Sequence, residues 1–107
     1  MSSTTINRGN IISSTLVVIP LGAKTVAGAS AEFSVTVPGV QVGSVAFVSY
    51  AGAQTAGVVA ANARVTAANT IAIQIVNATG SSAVTVAGNY YLLIAQPENL
   101  PLPSSVV

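Results

Sequence analysis

Ala31-Glu32-Phe33-Ser34-Val35-Thr36-Val37-Pro38-Gly39 decides the fold class. Phe33, Val35 and Val37 alternate with Glu32, Ser34 and Thr36. A period of two sends successive side chains to opposite faces of an extended chain, so residues 31–37 read as a strand with one buried and one wet face. Pro38-Gly39 ends it, because proline cannot donate to a strand ladder and glycine accepts a positive φ.

Working toward the C-terminus, Ser44 to Tyr50 predicts a second strand, introduced by Gly43. Val45 and Phe47 lie on one of its faces, Ala46, Val48 and Tyr50 on the other. Two apolar faces predict a strand covered on both sides or one that faces a partner subunit. Ala51 to Gly57 is a small-residue loop. Gly57 to Thr66 reads as one or two short strands with a break near Ala61-Asn62. Ala67-Ala68-Asn69 is a turn in which Asn69 suits a left-handed conformation. Thr70 to Asn77 is a strong strand with Ile71, Ile73 and Ile75 inward, and its spacing from Thr66 suits a hairpin. Asn77 to Gly88 is a loop with room for a short strand at Val84 to Val86, and Asn89 to Ala95 is the last strand.

Toward the N-terminus, Leu21 to Ser30 reads as a loop and Thr15 to Ile19 as a first strand ended by Pro20. Residues 1–14 are mostly polar and read as an extended arm. Residues 96–107 contain Pro97, Pro101 and Pro103 and read as a tail extended over a surface. No segment carries a helical period. Val58 to Ala68 is rich in Ala, but the β-branched Val58, Val59 and Val65 and the turn at Asn69 favour strand. The expectation is an all-β chain: a compact β-sandwich or small jelly-roll-like domain over 15–95, with an arm at 1–14 and a tail at 96–107.

Composition narrows the chemistry. The charged residues of this 107-residue chain are Arg8, Lys24, Glu32, Arg64 and Glu98, about 5% where an ordinary domain carries about 25%. There is no Cys, His, Trp or Asp. Disulfides and thiolate or imidazole metal sites are therefore out of reach, and no histidine can act as general base. No cofactor is expected, and no enzymatic activity. Three scattered cations cannot neutralise a phosphate backbone, which argues against nucleic acid as a partner. Val, Ile, Leu and Phe supply nearly a third of the chain, enough for a core without staples. The longest run of hydrophobic residues is Tyr90 to Ala95, far short of the ~20 that a spanning helix needs, so no membrane partner is expected. Ser13, Ser14, Thr15 and Pro20 break the semi-apolar stretch after Arg8, which argues against a signal peptide.

Charges ordinarily keep a small domain soluble and guard its strand edges. Their scarcity fits a chain that lives docked in a large symmetric assembly, where charge would multiply with copy number and like-charged neighbours would repel.

Ala31 to Val45, Gly57 to Val65 with Thr70 to Gly80, and the closing strand Tyr90 to Ile94 resemble a β-sandwich module of small bacteriophage virion proteins, the head decoration or cement proteins. The resemblance spans residues 25–95. Phage modules of this kind often have an acidic residue after the Val-Gly pair, and Ser44 stands there in this chain. The resemblance implies a virion structural protein on the outer surface of the capsid. Its partners would be the major capsid protein and copies of itself, as a trimer at local three-fold sites. The alternative expectation is a receptor- or glycan-binding module of a tail fibre or head appendage, with its site in the loops Ala51–Gly57 or Asn77–Gly88.

Candidate capsid or subunit contacts follow from the arm and tail: Ile6, Arg8, Ile11 and Ile12 on the former, Pro97, Leu100 and Pro101 on the latter. A flexible arm with apolar anchors and one cation can order on binding. Arg64 is a further candidate, through bidentate pairing with a carboxylate, against the plainer reading of an exposed strand residue. Lys24 and Glu32 lack the companions a catalytic pair needs. Tyr90 and Tyr91 are adjacent on a strand, point to opposite sides and cannot form one sugar-stacking platform. Asn77-Ala78-Thr79 matches a glycosylation acceptor.

Overall fold

The computed structural model describes residues 10–98. Ile6, Arg8, Leu100 and Pro101 lie outside them. The described chain is all-β: β1 Ile11–Leu21, β2 Thr25–Val26, β3 Ser30–Thr36, β4 Val45–Tyr50, β5 Val58–Ala67, β6 Thr70–Asn77, β7 Ala83–Val84 and β8 Gly88–Pro97. They form two three-stranded antiparallel sheets, ordered β1-β8-β4 and β3-β6-β5, and a two-stranded ribbon of β2 and β7. The two central strands, β6 and β8, carry the core between the sheets. Ile71, Ile73 and Ile75 of β6 face Tyr90, Leu92 and Ile94 of β8, joined by Ala46, Val58 and Ala63. Val26 of the ribbon and Val37 and Val40 of the β3–β4 loop close the ends of that cluster. The molecule is a β-sandwich, as the alternation of residues 31–37 implies.

Register follows from side-chain character. On the inner face of the first sheet, Val17, Leu92 and Val48 form one row across the strands, and Ile19, Tyr90 and Tyr50 the next. Slipping any strand by one residue would expose these rows, which is what fixes the pairing. The β5–β6 hairpin turns through Ala68-Asn69, and Asn69 is left-handed at φ 63° as the sequence predicts. Its Oδ1 accepts from the Gly39 amide at 2.8 Å, while its backbone bonds both Val37 and Val40. The Pro38-Gly39 turn is thus stapled to the hairpin.

Several boundaries differ from the sequence reading, among them the short strand read at Val84 to Val86, which is β7 at Ala83–Val84. The break near Ala61-Asn62 is a bulge between Ala60 and Asn62 inside one continuous strand. The Leu21–Ser30 loop contains β2, which pairs with β7. Residues 11–14 of the arm and 96–97 of the tail are strand, paired with each other as Ile11 with Pro97 and Ser13 with Gln96. Pro20 does not end β1, because β1 is an edge strand. Asn89, opposite Pro20, offers its carbonyl to the Ala51 amide on the far side, at 3.1 Å. In a strand the N–H and C=O of one residue point the same way, so Asn89 faces β4 and Pro20 faces away from β8. The missing N–H of Pro20 therefore costs the ladder nothing.

Candidate docking surface

The outer face of the β1-β8-β4 sheet carries the residues that remain. Leu16, Leu93 and Phe47 form one row across its three strands. They are 65%, 43% and 59% exposed, values far above those of core side chains and too large for incidental packing. The row on one side is Ser14, Ala95 and Val45, and on the other Val18, Tyr91 and Ser49. Val45, Val18 and, further along β1, Ile11 and Ile12 are exposed as well. None of the described charged residues, Lys24, Glu32, Arg64 and Glu98, lies in these rows. Each strand contributes a near-continuous apolar run, the pattern of a strand covered on both faces. Among the described residues only one face is covered. Contiguous exposed apolar surface of this kind marks an interaction site.

The opposite outer face is largely polar, although its row of Ser30, Val76 and Val59 leaves Val59 exposed. Glu32, Gln74 and Asn62 form a row across β3, β6 and β5, with Ser34, Ala72 and Arg64 in the next. Arg64 and Glu32 bridge diagonally over β6, Nε and Nη2 each donating to one carboxylate oxygen at 2.8 Å. Ala72, between them in register, is buried although it points outward. The hydrogen bonds from Arg64 hold the Glu32 carboxyl below its ordinary range and, in return, raise the guanidinium. The bidentate pairing anticipated for Arg64 exists, but its carboxylate belongs to the same chain.

The two loops expected to hold a glycan site are tied to each other. Gln54 donates from Nε2 to the Tyr90 hydroxyl at 2.9 Å and accepts at Oε1 from the Val86 amide. Thr55 Oγ1 donates to the Val84 carbonyl, and the Tyr50 hydroxyl to that of Val86. The rings of Tyr50 and Tyr90 pack with centroids 4.7 Å apart. Burial, only partly offset by the Gln54 bond, pushes the Tyr90 hydroxyl above the usual tyrosine range. Asn77 is 2% exposed and cannot serve as a glycosylation acceptor in the folded protein. Its Nδ2 donates to the carbonyls of Val26, Ala27 and Ser81, and its Oδ1 accepts from the amide and hydroxyl of Thr79.

Among the residues singled out in the sequence, Ile11 and Ile12 are exposed on β1, and Pro97 is half-buried in β8. Ile11 and Pro97 are brought together by the ladder. Leu16, Val18 and Leu93 did not stand out, whereas Val45 and Phe47 did, as one face of a strand covered on both sides or facing a partner subunit. The signal was present in the two apolar faces of Ser44 to Tyr50 and in the uninterrupted runs Leu16 to Ile19 and Tyr90 to Ala95. What sequence could not supply is that all three runs share one sheet.

Among the described residues no group of three or more His, Cys, Asp or Glu could hold a metal ion. No family model, curated protein or solved structure matches this chain.

Proposed function

We propose that this chain is a structural protein of a bacteriophage particle, a capsid decoration (cement) protein that docks on the outer surface of the head and stabilises it. The observation that supports this reading is the uncharged, apolar outer face of the β1-β8-β4 sheet on a sandwich whose other outer face is largely polar and ion-paired. Such a molecule is oriented: one face seeks protein, the other tolerates water. The resemblance of residues 25–95 to small virion modules supplies the assembly in which that face would be covered. The partners in this reading are the major capsid protein and further copies of the chain, with no cofactor and no catalytic step. Burial at about 25 cal/mol per Å² of apolar surface, repeated over many copies, is the source of stabilisation.

The alternative, a receptor- or glycan-binding module, draws no support from loops that satisfy each other and tuck Tyr90 inward. Quantitative mass spectrometry of purified particles tests the proposal. Hundreds of copies of this chain, scaling with the major capsid protein, are expected. A few copies would move it to the tail or fibres, and absence from particles would end it.

A further inference from the structure

Among the described residues no strand pairs with the outer edge of β1, and that edge has a pattern that fits a copy of itself. The hydrogen-bonding direction of β8 is set by Asn89, whose carbonyl serves the β4 side, and by Glu98, whose amide donates to Asn10 on the β1 side at 2.8 Å. Even-numbered residues of β8 from Tyr90 to Gln96 therefore bond β1, and odd-numbered ones bond β4. On β1, Ser13, Thr15, Val17 and Ile19 stand opposite those even residues and spend their backbone groups on β8. Ser14, Leu16, Val18 and Pro20 alternate with them and direct theirs to the open edge.

The other edges are guarded. β5 carries Arg64 and two register shifts. β3 carries Glu32 at its middle. β4 is six residues long. β1 is eleven residues long without a charge, and its only guards are Pro20 near one end and a bulge between Ile11 and Ser13 at the other. Bulges, charges, prolines and shortness are the ordinary protections of a sheet edge, and the middle of β1 has none.

We propose that β1 pairs antiparallel with β1 of a second copy, about a two-fold axis at Leu16. In that register Ser14 exchanges both backbone bonds with the second copy's Val18, Leu16 with its Leu16, and Val18 with its Ser14. Pro20, which has no amide to give, falls opposite the second copy's Ile12 at the bulge, just outside the paired segment. The two guards thus frame the pairing symmetrically. The result is a six-stranded sheet in which the row Phe47-Leu93-Leu16 continues into Leu16-Leu93-Phe47 of the second copy. Strand pairing alone covers less than the ~800 Å² per partner of a standard interface, so the association depends on concentration. It doubles the docking face described above, and for that use it rests on the proposed function; its existence does not. Isologous pairing closes at two copies, so the three-fold assembly implied by the resemblance would need a different contact.

Sedimentation velocity and amide hydrogen exchange on the full chain, over a range of concentrations, test this. The mass is expected to double as concentration rises. The amides of Ser14, Leu16 and Val18 are expected to gain protection in step, while those of Thr15, Val17 and Ile19 are protected throughout. Val18→Pro removes an amide that faces the open edge and leaves the β8 ladder intact. It is expected to weaken association about tenfold or more, with the monomer's melting temperature unchanged. Should that variant fail to fold, Leu16→Lys sets like charges opposite each other on the axis and is expected to give the same loss. A chain that stays monomeric, a mass that triples, or association without protection at Ser14, Leu16 and Val18 would each overturn the proposal. All these readouts are taken on the free chain, so their failure is separate from a failure of the particle copy-number test.

Discussion

Asn77 places one amide against three carbonyls from two other segments, Val26 and Ala27 before β3 and Ser81 after β6. Its Nδ2 has only two hydrogens, so one of them is shared. Truncation to Ala would take the side-chain donor from the Val26 carbonyl and the acceptor from the Thr79 amide, at about 1–3 kcal/mol for each group left unsatisfied, while the Ala27 and Ser81 carbonyls keep the Ala29 amide and the Thr79 hydroxyl. Asn77→Ala is expected to destabilise the fold by about 3 kcal/mol, measured as a lowered urea midpoint at unchanged slope. The sequence offered Asn77 only as a strand end and a chance acceptor motif, because two of its partners, Val26 and Ala27, are some fifty residues away along the chain. Tyr90 gives a pH signature. Its hydroxyl is held above the ordinary value by burial. Stability is therefore full below the unfolded-state value of about 10 and falls as pH rises from there through the higher folded-state value. Tyr90→Phe is expected to flatten this alkaline limb in thermal melts recorded across pH. The exposed Glu32–Arg64 pair acts in the opposite sense. Its lowered carboxyl favours the fold above the unfolded-state value and loses that effect as pH falls through the folded one, weakly and less in high salt.

At the scale of elements, turns and strand cores were legible and edges were not. Period two in Phe33, Val35 and Val37, and in Ile71, Ile73 and Ile75, reports burial on one face, which is a local property. The Asn69 turn was equally local. Asn69→Ala is expected to cost about 1–2 kcal/mol, through left-handed strain and the lost bond to Gly39. Asn69→Gly would relieve the strain but not restore the bond, so the difference between the two melting temperatures isolates the backbone effect. Pro20 misled because the same residue ends a central strand and is harmless on an edge, and which strand is an edge depends on pairing between β1 and β8, the two ends of the described chain. Likewise Ala61-Asn62 looked like a break because a bulge and a loop have the same small, polar composition.

At the scale of the whole molecule, two outer faces of opposite character follow from which strands share a sheet. The β1-β8-β4 sheet collects the three runs that are apolar on both sides, and the β3-β6-β5 sheet collects Glu32, Gln74, Asn62 and Arg64. Residues on the apolar face are already exposed, so replacing them barely touches the core. Phe47→Lys is expected to leave unfolding free energy within about 0.5 kcal/mol of the parent while abolishing retention on particles. Chemical denaturation and co-sedimentation with capsids read the two effects separately. A large loss of stability would instead mean that Phe47 is part of the core.

The hydrogen bond from the Glu98 amide to the Asn10 carbonyl joins the two ends of the described chain. It fixes how the molecule answers to force. Tension applied between those ends acts across the β1–β8 ladder rather than along it, so the bonds are loaded one pair at a time, from Ile11 and Pro97 inward. Single-molecule pulling through residues 10 and 98 is expected to peel the strands apart at low force. Pulling between Asn10 and the far end of β4, at Tyr50, loads many bonds together and should need far more. A protein built this way holds when strain shears β1 against β4, and opens like a zip when it enters through both ends.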